Sequence, residues 1–143
     1  MACCKCDGKR KLIAGLVIAV AYCAMDFFFH HKCLGGMYQA TASLWRPMAD
    51  MGAMMKFAYL GYVLFGYMFY CIYGFGHEAG KTGWAQGLRY GVMMGILFWG
   101  AGNLLMYPFC LYPSNLLWAW FAVGTFEYAV LGAIAGALFK PKA

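Results

Sequence analysis

Apolar residues fall in four long blocks separated by short polar breaks, rather than alternating with polar positions. The first block covers roughly 11–30, and the second, "MKFAYLGYVLFGYMFYCIYGF", roughly 55–75. The third, "WAQGLRYGVMMGILFWGAGNLLMY", covers roughly 84–107, and the fourth roughly 114–139. A helix that crosses a hydrocarbon layer of about 30 Å needs about 20 mainly apolar residues, each advancing it about 1.5 Å. All four blocks meet that length. The pattern therefore predicts a single all-α integral membrane domain over 1–143, built as a four-transmembrane-helix bundle.

The breaks predict the connections. "HKCLGGMYQATASLWRPMADMGAM", 31–54, is the only sizeable non-spanning stretch. Gly35–Gly36 should end the first helix, and Pro47 should break the chain or begin a short element. Between them, "MYQATASLW" is expected as a short helix lying on the outer surface, an interfacial segment between the first two spans. "PFCLYPS" joins the third and fourth blocks as a tight turn, which makes those helices antiparallel neighbours. There is no tandem repeat.

Composition strengthens this picture. The chain is 64% hydrophobic, 20% aromatic and 11% charged, against about 25% charged residues in an ordinary soluble domain. A water-soluble fold of 143 residues could not enclose so much apolar surface. "KRKLIAGLVIAVAYCAMDFFF" has the basic start and apolar core of a secretion signal, but its apolar run is long enough to span and it lacks a small-residue cleavage pattern. It reads as a retained first helix.

The formal charge of +6 flanks the apolar blocks, so it does not point to nucleic acid. Lys5, Lys9, Arg10, Lys11, Lys81, Arg89, Lys140 and Lys142 lie at the N-terminus, the second connection and the C-terminus. Lys32, Arg46 and Lys56 fall on the other side. Basic residues favour the cytoplasmic side, which places both termini in the cytoplasm, with a bacterial inner membrane as the expected host. Trp84, Tyr107, Trp118 and Trp120 suit interfacial belts.

Seven cysteines do not form a disulfide framework. Cys3, Cys4 and Cys6 are expected on the reducing side, and Cys23 and Cys71 lie inside spans. Cys33 and Cys110, near the opposite face, are the one pair placed for a disulfide.

Two kinds of intramembrane residue stand out. Gly91–Gly95 and Gly132–Gly136 have the small-xxx-small spacing that lets backbones approach closely in lipid. They can serve packing within the chain or packing against a partner subunit. Glu127 lies near the centre of the fourth block, where an ionised acid costs about 2.5–3.5 kcal/mol on insertion scales. It is read either as a proton- or cation-handling carboxylate or as a neutral or paired acid locking helices together. Arg89 could be its partner, or could snorkel to the interface. Asp26 and Asn103 are expected at similar depth on the opposite side, with Arg46 able to fold down onto Asp26.

Soft-metal chemistry is the other candidate. Cys23, Asp26, His30 and Cys33 share one helix face if the first helix continues through Cys33. Thiolate, carboxylate and imidazole are ligands for zinc or copper, yet four ligands along one helix cannot all reach one ion. Met48, Met51 and Met54, three residues apart, offer thioethers suited to Cu(I) or Ag(I), or an apolar stripe entering the second span. Cys3 and Cys6 form a Cys-x-x-Cys in the tail, able to capture a soft ion or to carry a lipid. No phosphate loop, nucleophile elbow or His-Glu-x-x-His motif occurs, and the chain is not expected to be an enzyme.

Asp26, His30, Tyr38, "LWRP" at 44–47, "GLRYG" at 87–91, Pro108 and Glu127 together resemble a pattern in uncharacterised small bacterial four-span membrane proteins. The resemblance spans most of the chain and implies one shared structural unit, with no activity attached. The leading functional expectation is a protein that acts by association with lipids and other membrane subunits, or with its own copies, as an accessory or scaffolding subunit. A soft-metal or proton-linked transporter is the alternative, and a lipid- or pigment-binding module stands below it.

Overall fold

The computed structural model describes residues 8–140. Six helices follow in order: α1 Gly8–Phe28, α2 Gly35–Ala40, α3 Met48–Gly76, α4 Gly83–Gly95, α5 Asn103–Met106 and α6 Ser114–Leu138. Wider π turns extend two of them. Phe29–Cys33 continues α1, and Ile96–Gly102 joins α4 to α5. With these extensions, four stretches are long and apolar enough to cross a membrane: Gly8–Cys33, Met48–Gly76, Gly83–Phe109 and Ser114–Leu138.

Two boundaries differ from the sequence expectation. Gly35–Gly36 do not end the first helix; it closes at Cys33, where Leu34 N–H donates to Phe29 O at 2.9 Å, and the glycines open α2 instead. The second long helix starts at Met48, seven residues ahead of the expected 55, because Pro47 initiates it rather than a separate short element. The Pro47 carbonyl accepts Asp50 N–H and Met51 N–H at 3.0 and 3.2 Å. A proline costs nothing there, since the first-turn amides have no intrahelical acceptor anyway. Asp50 in that turn also meets the positive end of the helix dipole. "MYQATASLW" does become helical, as α2 and a 3-10 turn at Ala42–Leu44.

The four long helices pack as two tight pairs. In the first, Gly66 of α3 lies against α1 so closely that an added Cβ would reach Gly15 O and come within 2.8 Å of Ala19 N. In the second, Gly83, Gly87, Gly91 and Gly95 recur every fourth residue along α4 and present one bare stripe. Opposite them on α6 stand Gly136, Gly132, Tyr128 and Thr125. A Cβ on Gly87 would strike Gly132 O, and one on Gly132 would lie 2.7 Å from Gly91 Cα. The two backbones are in contact.

Aromatic rings fill the seam between the pairs. Tyr22 and Phe65 from the first pair meet Tyr128 of the second at centroid separations of 5.6 and 4.9 Å, and Phe69 meets Tyr90 at 4.7 Å. The rings are tilted or edge-on, which their quadrupoles favour over face-to-face stacking. Tyrosine hydroxyls then fasten the seam to backbone: Tyr90 donates to Phe69 O at 2.9 Å and Tyr73 to Gly83 O at 3.0 Å. Each is amphipathic in the right way, with an apolar ring in the core and a donor that finds a carbonyl.

Gln86 organises the turn between α3 and α4. It is 9% exposed. Its amide oxygen accepts Glu78 N–H at 3.0 Å, and its amide nitrogen donates to Glu78 O and Lys81 O at 3.1 Å each. Gly80, with φ +81°, turns the chain beside it in a conformation that favours glycine. Replacing Gln86 with leucine strips partners from three backbone groups, which at about 1 kcal/mol per hydrogen bond costs roughly 2–3 kcal/mol. Limited proteolysis should then cut within 77–82 several-fold faster than in the parent protein.

The exterior of the bundle is apolar as well. Val20 is 69% exposed, Leu60 65% and Leu105 74%.

Candidate functional site

Polar side chains gather at the end of the bundle where α1 gives way to α2. The geometry starts from Asp26 and His30, one helical turn apart on α1, so that both emerge on one face. Asp26 Oδ2 accepts the Tyr62 hydroxyl of α3 at 2.5 Å, and Oδ1 lies 3.4 Å from His30 Nε2. The π turn after Phe28 brings the chain round so that α2 folds back over His30. Tyr38 then stacks its ring on the imidazole at 5.6 Å, with its hydroxyl 2.5 Å from Nδ1. From α6, Trp120 Nε1–H donates to the same hydroxyl at 2.7 Å.

This chain of bonds has a direction. An indole N–H can only donate, so Trp120 occupies a lone pair of Tyr38 and leaves the phenolic proton for His30 Nδ1. In the neutral imidazole, Nε2 then carries the proton, 3.4 Å from Asp26 Oδ1. Four elements, α1, α2, α3 and α6, thus meet at one hydrogen-bonded set. Thr41 and Trp45 buttress it: Trp45 Nε1–H donates to Thr41 Oγ1 at 2.9 Å, and the Trp45 ring stands edge-on to Tyr38 at 5.4 Å. His30 and Asp26 remain 27% and 22% exposed, so the set is open to the outside of the bundle.

Burial pushes the Tyr38 phenol up to about 12 from 10.0; the Trp120 bond opposes this, and the charges of Asp26 and Glu127 reinforce it. A raised folded-state value means that the stability Tyr38 contributes is complete below pH 10 and is lost as pH climbs toward 12. Spectrophotometric titration should therefore show one fewer late-ionising phenol in Tyr38→Phe than in the parent protein.

Deeper in the bundle sits Glu127. It has no solvent exposure, and neither carboxylate oxygen has a hydrogen-bond partner among the described residues. Asp26 lies within electrostatic range of it across the seam. Tyr22 is in range of both acids and stands edge-on to Tyr62 at 5.1 Å.

The remaining sequence candidates are distributed differently. Arg89 does not reach Glu127. It is exposed and lies 3.5 Å from Glu78, which also pairs with Lys81. Arg89 leaves α4 on the side opposite the glycine stripe that faces α6. The Lys81 ammonium, with Arg89 behind it, holds the Glu78 carboxyl below the usual carboxylate range. Arg46 is exposed, and Asp26 takes Tyr62 and His30 as its partners instead. Asn103 donates to Trp99 O at 2.9 Å, an i−4 bond within its own helix. Gly91, Gly95, Gly132 and Gly136 all lie in the α4–α6 contact.

The metal candidates are not drawn into one cluster. No group of three His, Cys, Asp or Glu side chains converges among the described residues. Met48 is 81% exposed, Met51 half-buried and Met54 exposed, along the first turns of α3. Cys23, Cys33, Cys71 and Cys110 are free thiols, so Cys33 and Cys110 are not bridged. Cys3 and Cys6 lie outside the described residues.

Sequence reasoning missed Tyr62 and Trp120 as members of the polar set, and Gly15, Gly66, Gly83 and Gly87 as contact glycines. The four-residue recurrence of glycine through 83–95 was a readable signal. Nothing in the sequence pointed Tyr62 at Asp26, 36 positions away. No protein-family model matches the chain, and neither a curated protein nor a solved structure does.

Proposed function

We propose that this is a small integral membrane protein that works by association, as an accessory or scaffolding subunit of a larger assembly. On this reading both termini face the cytoplasm of a bacterial inner membrane, following the basic residues at that end of the bundle. The apolar exterior supports residence in lipid, since so much exposed hydrocarbon would drive aggregation in water.

One observation carries the association reading. The first half of α3 lies largely outside the bundle core, with Phe57, Tyr59, Leu60 and Leu64 all well exposed. Gly61 sits among them with open space where a side chain would stand. A bare glycine flanked by large apolar side chains gives a second helix a notch to enter, as the contact glycines do inside the bundle. The occupant is a helix of another membrane polypeptide or of a second copy.

A photoreactive amino acid at Leu60, activated in native membranes, tests this. The expected result is one discrete polypeptide adduct that disappears in Gly61→Leu. Adducts to lipid alone, together with a monomeric mass after mild solubilisation, would overturn it.

A further inference from the structure

The polar groups of the interior come from both sides of the aromatic seam. Asp26 belongs to the α1–α3 pair, where Tyr62 and His30 satisfy it. Glu127 belongs to the α4–α6 pair, where no described residue satisfies it. A fully enclosed carboxyl without partners is costly in either form. The ionised group has no donor, and the neutral group has no acceptor for its O–H. Packing gains nothing from it, because leucine or methionine would fill similar volume. The group is therefore best explained by something it binds.

We propose that Glu127 is an interior proton-binding site, paired with Asp26 across the seam and connected to the open end of the bundle through His30 and Tyr38. The side chains in electrostatic contact with this pair are titratable ones from each element packed around it. They are Tyr22 of α1, Tyr38 of α2, Tyr62 of α3, with Cys23 beside it, and Tyr128 of α6. Tyr90 of α4 lies behind Tyr128. The ligand is a proton, which a buried carboxyl binds directly.

The transfer balances without any co-reactant. Water supplies one proton at the Tyr38 oxygen as the Tyr38 hydroxyl proton passes to His30 Nδ1. The His30 Nε2 proton passes to Asp26 Oδ1. The proton then passes from Asp26 to Glu127 across the seam, a step that requires the two acids to approach, because no hydrogen bond among the described residues reaches Glu127. Asp26 ends as it began, Glu127 has changed from carboxylate to neutral acid, and one proton has left the water. Release reverses each step.

This goes beyond the association reading, and its readout needs no partner. Infrared difference spectroscopy of the full chain in lipid nanodiscs, titrated with pH, should show the carbonyl band of one protonated carboxylic acid. Glu127→Gln should abolish the band. Asp26→Asn should displace its titration midpoint by about one pH unit, a tenfold change in proton binding. Tyr38→Phe, which interrupts the route without touching either acid, should leave the band in place and slow its exchange in deuterium oxide. Absence of a titrating carboxyl band that depends on Glu127 would overturn the proposal. If Glu127→Gln fails to assemble, Asp26→Asn still decides, because it retains Glu127: a band that does not move overturns the pairing.

Discussion

Gly132→Leu will force α6 away from α4 and cost about 3 kcal/mol or more. The contact leaves no alternative, since the Cβ alone would strike Gly87 O and lie 2.7 Å from Gly91 Cα and 2.8 Å from Gly91 N. Overpacking in a side-chain core costs about 1–3 kcal/mol, because neighbouring side chains shift to other rotamers. Here the obstructing atoms are backbone on a helix, which cannot rotate aside, so the cost lies at the upper end of that range or above it. Reversible unfolding in a denaturing detergent should show the midpoint falling sharply. Gly102→Leu provides the contrast, since the nearest atom there is Leu97 O at 3.7 Å. A similar loss in both variants would refute the tight-pair account.

The second large effect has the opposite sign. Glu127→Met should stabilise the bundle by roughly 1–3 kcal/mol, because an apolar side chain of similar length removes a buried group whose hydrogen-bonding capacity goes unmet. Stability in the same unfolding assay should therefore rise above that of the parent, while the carboxyl band disappears. A loss of stability would mean that the carboxyl is held by favourable interactions, contrary to its lack of partners. Chains in which one substitution both stabilises and disables are those that keep a costly group for what it does.

Much of the fold could be read directly from the chain. Four apolar blocks became four long helices, because a helix of about 20 residues has to satisfy its own backbone wherever it is packed or immersed. Ends were harder. Whether Gly35–Gly36 would stop a helix depended on the π turn ahead of them, and whether Pro47 would break or begin one depended on what followed it. Both outcomes are settled by local hydrogen bonds that composition does not specify. The site was legible by halves. Asp26 and His30 share a face by helical geometry alone, and Glu127 stood out by its chemistry. The Arg89–Glu127 pairing failed because spacing along a helix gives depth but not direction around the bundle. Tyr62, Trp120 and the fold-back of Tyr38 arise from packing between distant elements, where pattern carries no information.

The contrast between the glycine contacts and the aromatic seam has a mechanical consequence. Backbone pressed on backbone cannot shear, because displacement by a fraction of a residue drives carbonyls into Cα atoms. Ring against ring can, since tilted aromatics exchange one edge contact for another with little change in area. Each tight pair therefore resists internal shear, and relative motion falls on the plane between them, where it has to break the Tyr90–Phe69 O and Tyr73–Gly83 O bonds. Asp26 rides on one pair and Glu127 on the other. Sliding along that plane would alter the spacing of the two acids, so that a displacement of the exposed flank of α3 would reach the centre of the protein as a change in charge spacing.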